Sequence, residues 1–589
     1  PLPAPLALLA ALVPLASFRD SLRGYSRDTF TSDAVAAAIV TVMLIPQSLA
    51  YAMLAGLPPQ AGLYASVAPL LVYALLGSSR VLAVGPVAVV SLMTAAAISQ
   101  LNLPGVEPGS AAYAGAALAL ALLSGAMLLA MGFLRLGFLA NFLSHPVVSG
   151  FITASAVLIA ASQLKTLLGI RADGHTLVEL LAAIARALPD THVLTLAVGA
   201  ASVAFLFFAR SRLKPMLVAR GVRPRLADIA SKAAPVLAMA ITTALAASLD
   251  WKAQGLRVVG TIPQGLPPVT LPPMDLALWR ELALPALLIS VVGFVESVSV
   301  GQTLAARRRQ RIEPDRELVA LGASNLSAAF SGGFPVTGGF ARSVVNFDAG
   351  AQTQLAGIFT AGGLLVASLL LTPWLHHLPQ AVLAATIVVA VLSLVDTGLL
   401  RRTWAYSRSD FTAAVVTIAA TLALGVEQGL VAGVAVSLAL YLYRSSRPHI
   451  ATVGWVPATE HFRNVLRHPV RTCDTLLGLR VDESLYFANA RYLEDRINEA
   501  VAQQPALRHV VLQCSAVNDI DASALESLEA IDHRLRAAGV QLHLSEVKGP
   551  VMDRLNATDF LRELQAHGGR VFLTHYQAVQ ALAPQVLRG

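Results

Sequence analysis

Through its first 450 residues the chain is a succession of apolar segments separated by short loops, and this limits its fold more than any motif does. A hydrocarbon layer offers backbone groups no water, so a segment crossing it must satisfy its own hydrogen bonds, as a helix or in a closed barrel. Runs of roughly 20 residues without strict alternation fit helices; barrel strands need only about 10 alternating residues. The composition agrees: 56% of residues are hydrophobic and 13% charged, whereas soluble domains carry about 25% charged residues. An ordinary soluble protein and a disordered chain are both excluded.

Apolar runs bounded by turn residues predict spans near 33–54, 61–77, 86–100, 113–134, 146–165, 192–209 and 229–248. A second set follows near 282–303, 317–330, 336–347, 353–373, 381–398, 409–424 and 427–443. Charge density doubles after residue 450. Up to that point there are 29 basic and 19 acidic residues; beyond it there are 14 and 16. The expected organisation is a transmembrane domain over 1–450, with one repeat over about 28–250 and another over about 275–445, and a soluble domain over 451–589. Both cysteines, Cys473 and Cys514, lie in the tail, so no disulfide framework is expected and a reducing compartment fits. The first apolar stretch lacks a basic n-region with a cleavage site and is not read as a signal peptide.

The net charge of +8 does not point to nucleic acid, because the basic residues collect in particular loops. The N-terminal segment (Arg19, Arg23, Arg27), the even-numbered loops and the exit (Arg444, Arg447) carry 22 of them, and the odd loops carry six. By the positive-inside rule this predicts fourteen spans with both termini cytoplasmic, in a plasma (inner) membrane. Seven spans per set is an odd number, so the second set is inverted relative to the first. The spacing from Gln47 to Pro86 is 39 residues, as is that from Glu296 to Pro335.

The third span of each set is too short to cross alone and begins at a proline next to glycine. Pro86 and Pro335 suit the first turn of a helix, where the missing N–H costs nothing. Two half-helices starting at mid-membrane would turn their free N–H groups toward each other and form an anion site. The alternative is a proline kink in each of two full spans. In FPVTGGFARSVVN, Thr337, Gly338 and Gly339 offer a hydroxyl and unobstructed N–H groups, although glycines also serve close helix packing. Arg342 follows seven positions after Pro335, and an arginine at this depth is usually paired or functional. A structural ion pair with Glu296 is its alternative role.

Glu296, in LLISVVGFVESVSVGQTL, is the only acidic residue in the middle of a span. It needs a cation, a proton or a positive neighbour, which makes it the candidate for coupling transport to H+ or Na+. Gln47 follows Pro46, and its amide is free to donate to a ligand or to a neighbouring helix. Tyr51, Ser297 and Ser299 are weaker candidates, since a serine in a span often bonds only its own backbone.

These stretches resemble the sulfate permease (SulP) family of anion transporters, whose animal members form the SLC26 group. IPQSLAYAMLAGLPPQAGLYAS, GPVAVVSLMT and RELVALGASNLSAAFSGGFPVTGGFARSVVNFDAGAQTQLAGI carry the resemblance, which covers essentially the whole chain. It implies a polytopic α-helical fold of fourteen spans as a seven-plus-seven inverted repeat. A core of spans 1–4 and 8–11 would move against a gate of the other six. It also implies a homodimer and a ligand site between the third and tenth spans. Carried over by position, that site takes Gln47, Tyr51, Val87, Ala88, Glu296, Thr337, Gly338, Gly339, Phe340 and Arg342. Sodium-coupled bicarbonate members carry Asp at the Glu296 position and Thr four residues later; here that residue is Val300, which favours protons. The IPQSLAY form points toward sulfate.

The tail resembles a STAS domain. DTLLGLRVDESLYFAN reads as two short strands, 489–503 as a helix, HVVLQC as a buried strand, 522–539 as an amphipathic helix and VQLHLSEV as a strand, giving a cytosolic α/β layer. Ser523, in NDIDASALESL, aligns with the phosphorylated serine of soluble relatives; it is read either as the cap of the following helix or as a regulatory site. The sequence contains no P-loop, metal cluster or nucleophile–base arrangement, so neither an enzyme nor a cofactor is expected. The expected partners are an inorganic oxyanion, most of all sulfate, with protons and the lipid bilayer. The function expected is proton-coupled sulfate import by alternating access. The alternatives are bicarbonate or dicarboxylate transport, a passive channel or exchanger, and a membrane-anchored sensor.

Overall fold

The computed structural model describes residues 25–588 except 102–105, 143, 173, 175, 261–264 and 371. Arg19, Arg23 and the first apolar stretch lie outside the described residues. The chain divides into two compact units, Pro1–Ser437 and Leu438–Gly589.

Every segment expected to span is helical in the first unit. The first set is α1 (Arg27–Leu54), α2 (Pro59–Leu76), α3 (Ala88–Ser99), α4 (Ala111–Phe133), α5 (His145–Leu168), α6 (Val193–Phe208) and α7 (Ala234–Ser248). The second set is α8 (Leu276–Arg307), α9 (Pro314–Phe330), α10 (Phe340–Asp348), α11 (Leu355–Leu370), α12 (Gln380–Val391), α13 (Arg408–Leu424) and α14 (Val426–Ser446), the last running past the unit boundary. Among the described residues eight helical stretches are long and apolar enough to cross a bilayer by themselves, or nine counting the pair bent by 52° at Ala233. Local chemistry sets the ends: Ser26 and Ser110 cap α1 and α4 through Thr29 N and Tyr113 N, and prolines open α2 and α9.

Helix packing falls into two groups. α1–α4 pack with α8–α11, while α5, α6, α7, α12 and α13 pack with one another. α4 packs tightly against α9. A methyl group at Gly125 would lie 2.8 Å from Leu326 N, and one at Gly322 would lie 2.8 Å from Leu129 N. Glycine is therefore required there so that the backbones can touch.

The two short helices do not begin at their prolines. Each is preceded by a short strand, β1 (Val84–Gly85) before α3 and β2 (Thr337–Gly338) before α10. The strands pair antiparallel, Val84 with Gly338 and Gly85 with Thr337. α3 starts two residues after Pro86, and α10 starts five residues after Pro335. The delay in the second case has a side-chain cause. The amide of buried Asn325 on α9 accepts from Val336 N at 2.9 Å and donates to Val336 O at 2.9 Å, holding that residue outside the helix.

The second unit contains a six-stranded sheet in the order β4-β3-β5-β6-β7-β8. The strands are β3 (Ile450–Trp455), β4 (Phe462–Asn464), β5 (Leu476–Val481), β6 (His509–Gln513), β7 (Gln541–Ser545) and β8 (Val571–Phe572). β5 to β8 run parallel, and β3 pairs antiparallel with both β4 and β5. The helices at 490–503 and 522–537 bury Leu493, Ile497, Leu528 and Ile531 against Leu479, Leu512 and Leu544. The second strand expected within DTLLGLRVDESLYFAN is replaced by an isolated bridge, Leu485 to Ile520. Ser523 does not cap its helix. The carboxylate of Asp521 accepts from Ala524 N at 2.8 Å, which leaves Ser523 exposed in the first turn. Cys514 is buried and Cys473 half-buried, and both are free thiols.

Candidate functional site

The β1–β2 pair brings the starts of α3 and α10 together from residues about 250 positions apart in the chain. The N-caps are Val87 and Gly339, and neither has a side chain able to accept a hydrogen bond. The first intrahelical bonds are Ser91 N to Val87 O at 2.9 Å and Ser343 N to Gly339 O at 3.1 Å. The N–H groups of Ala88, Val89 and Val90, and those of Phe340, Ala341 and Arg342, therefore have no acceptor within their helices. Each set adds the positive end of a helix dipole.

The donors expected from residues 337–339 are taken by the protein. Thr337 Oγ1 donates to Gly293 O at 2.6 Å and lies 2.7 Å from Ser297 Oγ. Gly338 N donates to Ser297 Oγ at 2.8 Å, and Gly339 N donates to Ala83 O at 3.2 Å. The cause is the strand: extended residues seek ladder partners, and α8 and Ala83 supply them. Thr337 and Gly338 thus build the wall of the site, while the free N–H groups begin at Phe340. Ser297 bonds this wall and not its own backbone, contrary to its weak showing in the sequence.

Arg342 is 2% exposed. Its Nη2 donates to Pro86 O, and its buried Nη1 has no hydrogen-bond partner among the described residues. Gly85 and Gly339 make room for the guanidinium: a methyl group at either would come within 2.5 Å of it. No ion pair with Glu296 is seen among the described residues: Nη2 goes to the backbone carbonyl of Pro86, and Nη1 and the carboxylate Oε2 both stay unpartnered. Glu296 is half-buried, and its buried Oε2 has no hydrogen-bond partner among the described residues.

Tyr51 is buried and lies within electrostatic reach of both Arg342 and Glu296. Gln47, one helical turn earlier, is half-buried and has no hydrogen-bond partner among the described residues. Val87 and Ala88 are buried, whereas Phe340 and Ala341 are exposed at the mouth of α10. The structure thus brings Tyr51 on α1, Val87 before α3, Glu296 on α8, and Gly339 and Arg342 at α10 close together, while Ser523 lies in the other unit. Sequence reasoning missed Pro86 O and Asn325 as anchors; a buried asparagine inside an apolar span was the available signal for the second. A cavity of about 520 Å³ extends along α3 between α1, α5 and α12, lined in part by Met53, Leu92, Ser99, Ser162 and Leu383. Among the described residues no His, Cys, Asp and Glu cluster could hold a metal.

Chemically, the arrangement offers two converging helix N-termini and one guanidinium nitrogen to an anion, and one carboxylate oxygen to a proton or cation. The family model of the sulfate permeases matches residues 30–417, and that of the STAS domain matches 469–578. A probable sulfate transporter 4.2 of Arabidopsis thaliana is 36% identical over 89% of this chain and 77% of its own length. A probable sulfate transporter of Mycobacterium tuberculosis is 34% identical over 95% of this chain and 96% of its own length. Among solved structures, SLC26A9 superposes with a TM-score of 0.87 at 23% identity over 98% of this chain and 94% of that one. The transmembrane domain of the cyanobacterial bicarbonate transporter BicA gives 0.58 at 21% identity, over 69% of this chain and 98% of that one. By its family model and its relatives the chain belongs to the sulfate permease family of anion transporters.

Proposed function

We propose that this protein imports sulfate by alternating access, coupled to protons through Glu296. The observation that carries this reading is the pair of unpartnered buried atoms beside the two helix starts, Arg342 Nη1 and Glu296 Oε2. A buried polar atom without a partner costs about 1–3 kcal/mol, and more when charged. A bound oxyanion relieves that cost at the guanidinium, and a proton relieves it at the carboxylate. The oxyanion bridges the N–H groups of Ala88 to Val90 and those of Phe340 to Arg342.

Importing a divalent anion against an inside-negative potential costs about 4.6 kcal/mol per 100 mV, so concentrative uptake needs accompanying cations. Val300, one turn beyond Glu296, has no oxygen for a sodium ion, which favours protons. The relatives, named as sulfate transporters, favour sulfate as the anion. The distribution of basic residues supports fourteen spans with both termini cytoplasmic in a plasma membrane, and the family resemblance supports a homodimer in which residues 451–589 regulate the transport unit. The test is uptake of radiolabelled sulfate into proteoliposomes with an inward proton gradient as the sole driving force. Accumulation above equilibrium supports the reading. Equilibration without accumulation overturns the coupling, and no flux of sulfate overturns the substrate.

A further inference from the structure

Among the buried carboxylates outside this site, Glu317 and Asp33 each hold the backbone beside a half-helix of the opposite repeat. Glu317, in the first turn of α9, is fully buried. It accepts from Tyr73 Oη at 2.7 Å, Ser78 N at 2.9 Å, Ser78 Oγ at 2.6 Å and Ser79 N at 3.2 Å. Asp33 on α1 is equally buried. It accepts from Gln352 N at 2.6 Å, Thr353 N at 3.2 Å, Thr353 Oγ1 at 2.5 Å and Tyr25 Oη at 3.3 Å. Ser78 and Ser79 begin the strap that leads through β1 to α3; residues 352 and 353 follow the end of α10. Gln354 Nε2 donates to Gly77 O at 3.1 Å and joins the two anchor points.

Beyond its anchor the strap is gripped residue after residue by one face of α10. Asn346 Nδ2 donates to Val81 O at 3.0 Å, Ser343 Oγ accepts from Ala83 N at 3.0 Å, Gly339 N donates to Ala83 O, and Arg342 donates to Pro86 O. Positions 339, 342, 343 and 346 follow the spacing of one helical face. The N-terminus of α3 is therefore placed by contacts from the second half of the chain. The strap's own start is set by Glu317.

We infer that Glu317 and Asp33 are reciprocal positioning residues for the anion site: each fixes, from the opposite repeat, the backbone that sets the distance between the two helix N-termini. The inference rests on the anion-site reading above. Neither carboxylate touches the anion. Both act through the backbone of 78–86 and 349–354, and the site keeps one geometry because the polar chain from Asp33 to Glu317 is continuous.

The experiment measures sulfate KM and maximal rate in proteoliposomes, with amide hydrogen exchange of the full-length protein read peptide by peptide. Glu317→Ala should raise KM about tenfold, the equivalent of one hydrogen bond to a charged group. It should also speed exchange across 79–86 while the strands at 509–513 and 541–545 stay protected. Glu317→Gln keeps an oxygen before Ser78 and Ser79 and should stay within about threefold of the parent. Should Glu317→Ala fail to fold, Tyr73→Phe and Ser78→Ala, each deleting one donor, should raise KM in the same direction; unchanged values in both overturn the inference. A normal KM in folded Glu317→Ala, or a raised KM without faster exchange at 79–86, also overturns it. Gly339→Leu runs alongside. If Gly339→Leu leaves KM unchanged, the site reading itself fails; if it abolishes uptake while Glu317→Ala behaves as the parent, only the positioning role fails.

Discussion

Alanine at Gly339 separates what the site asks of space from what it asks of backbone. The residue sits at φ −87° and ψ 132°, a conformation open to any amino acid, so the substitution strains nothing in the chain. Its new methyl group, however, would lie 2.5 Å from Arg342 Nε and 3.1 Å from Val87 Cγ1. Ordinary contact begins near 3.4 Å, so the arginine must retreat by about 0.9 Å, the difference between the two distances. That movement draws Nη2 away from Pro86 O and Nη1 away from the place proposed for the anion. Losing a hydrogen bond to a charged group costs about 1.5–3 kcal/mol, which predicts anion affinity about 10- to 150-fold weaker. Alanine at Gly338 makes the control. Its methyl group would meet the Leu82 side chain at 2.8 Å, and repacking there costs stability of about 1–3 kcal/mol but leaves the guanidinium in place. The assay is sulfate binding to purified protein in detergent, with thermal stability measured on the same samples. Equal losses of affinity in the two variants, or unchanged affinity in Gly339→Ala, would refute the reasoning.

Glu296→Gln should mimic the protonated acid, retaining sulfate counterflow while losing acceleration by an inward proton gradient; pH-driven accumulation by this variant rules the residue out as carrier. Cys514 is buried, and its thiol is pushed up to about 12 by desolvation and then by the charge of Glu546, so a maleimide should label Cys473 first and reach Cys514 only on unfolding. Desolvation, then the neighbouring charges of His509 and Arg570, bring His543 from 6.5 down to about 4. Desolvation likewise brings His575 to about 4, against a weaker opposite effect of Glu546. Because the unfolded chain takes these protons first, the stability they confer is complete above pH 6.5 and drains away as pH falls toward 4, by on the order of 3 kcal/mol at His575. Amide exchange of 509–513 and 541–545 in the full-length protein, corrected for intrinsic rates, should speed up across that window and less so in His543→Asn. Truncation after Ser446 should leave slower but measurable flux, and undiminished kinetics would detach the tail from regulation.

Much of this protein is legible one segment at a time. Apolar run length and scarcity of charge placed a helix in each of the fourteen expected segments, because a helix in lipid answers to local composition and to its own hydrogen bonds. Pro86, Pro335, Gly339, Arg342 and Glu296 stood out for the same reason: each is costly in an apolar span, so each announces a use. The finer assignments failed where the partner is distant. Thr337, Gly338 and Gly339 looked like free donors until β2 met Ser297, Gly293 and Ala83. The start of α10 moved beyond its proline because Asn325 holds Val336. Arg342 took a backbone carbonyl 256 residues away, and the ion pair with Glu296 that stood as its alternative role did not form. Helix periodicity is a local property of sequence, whereas a hydrogen-bond partner across some 250 residues is chosen only when the two halves of the chain have packed.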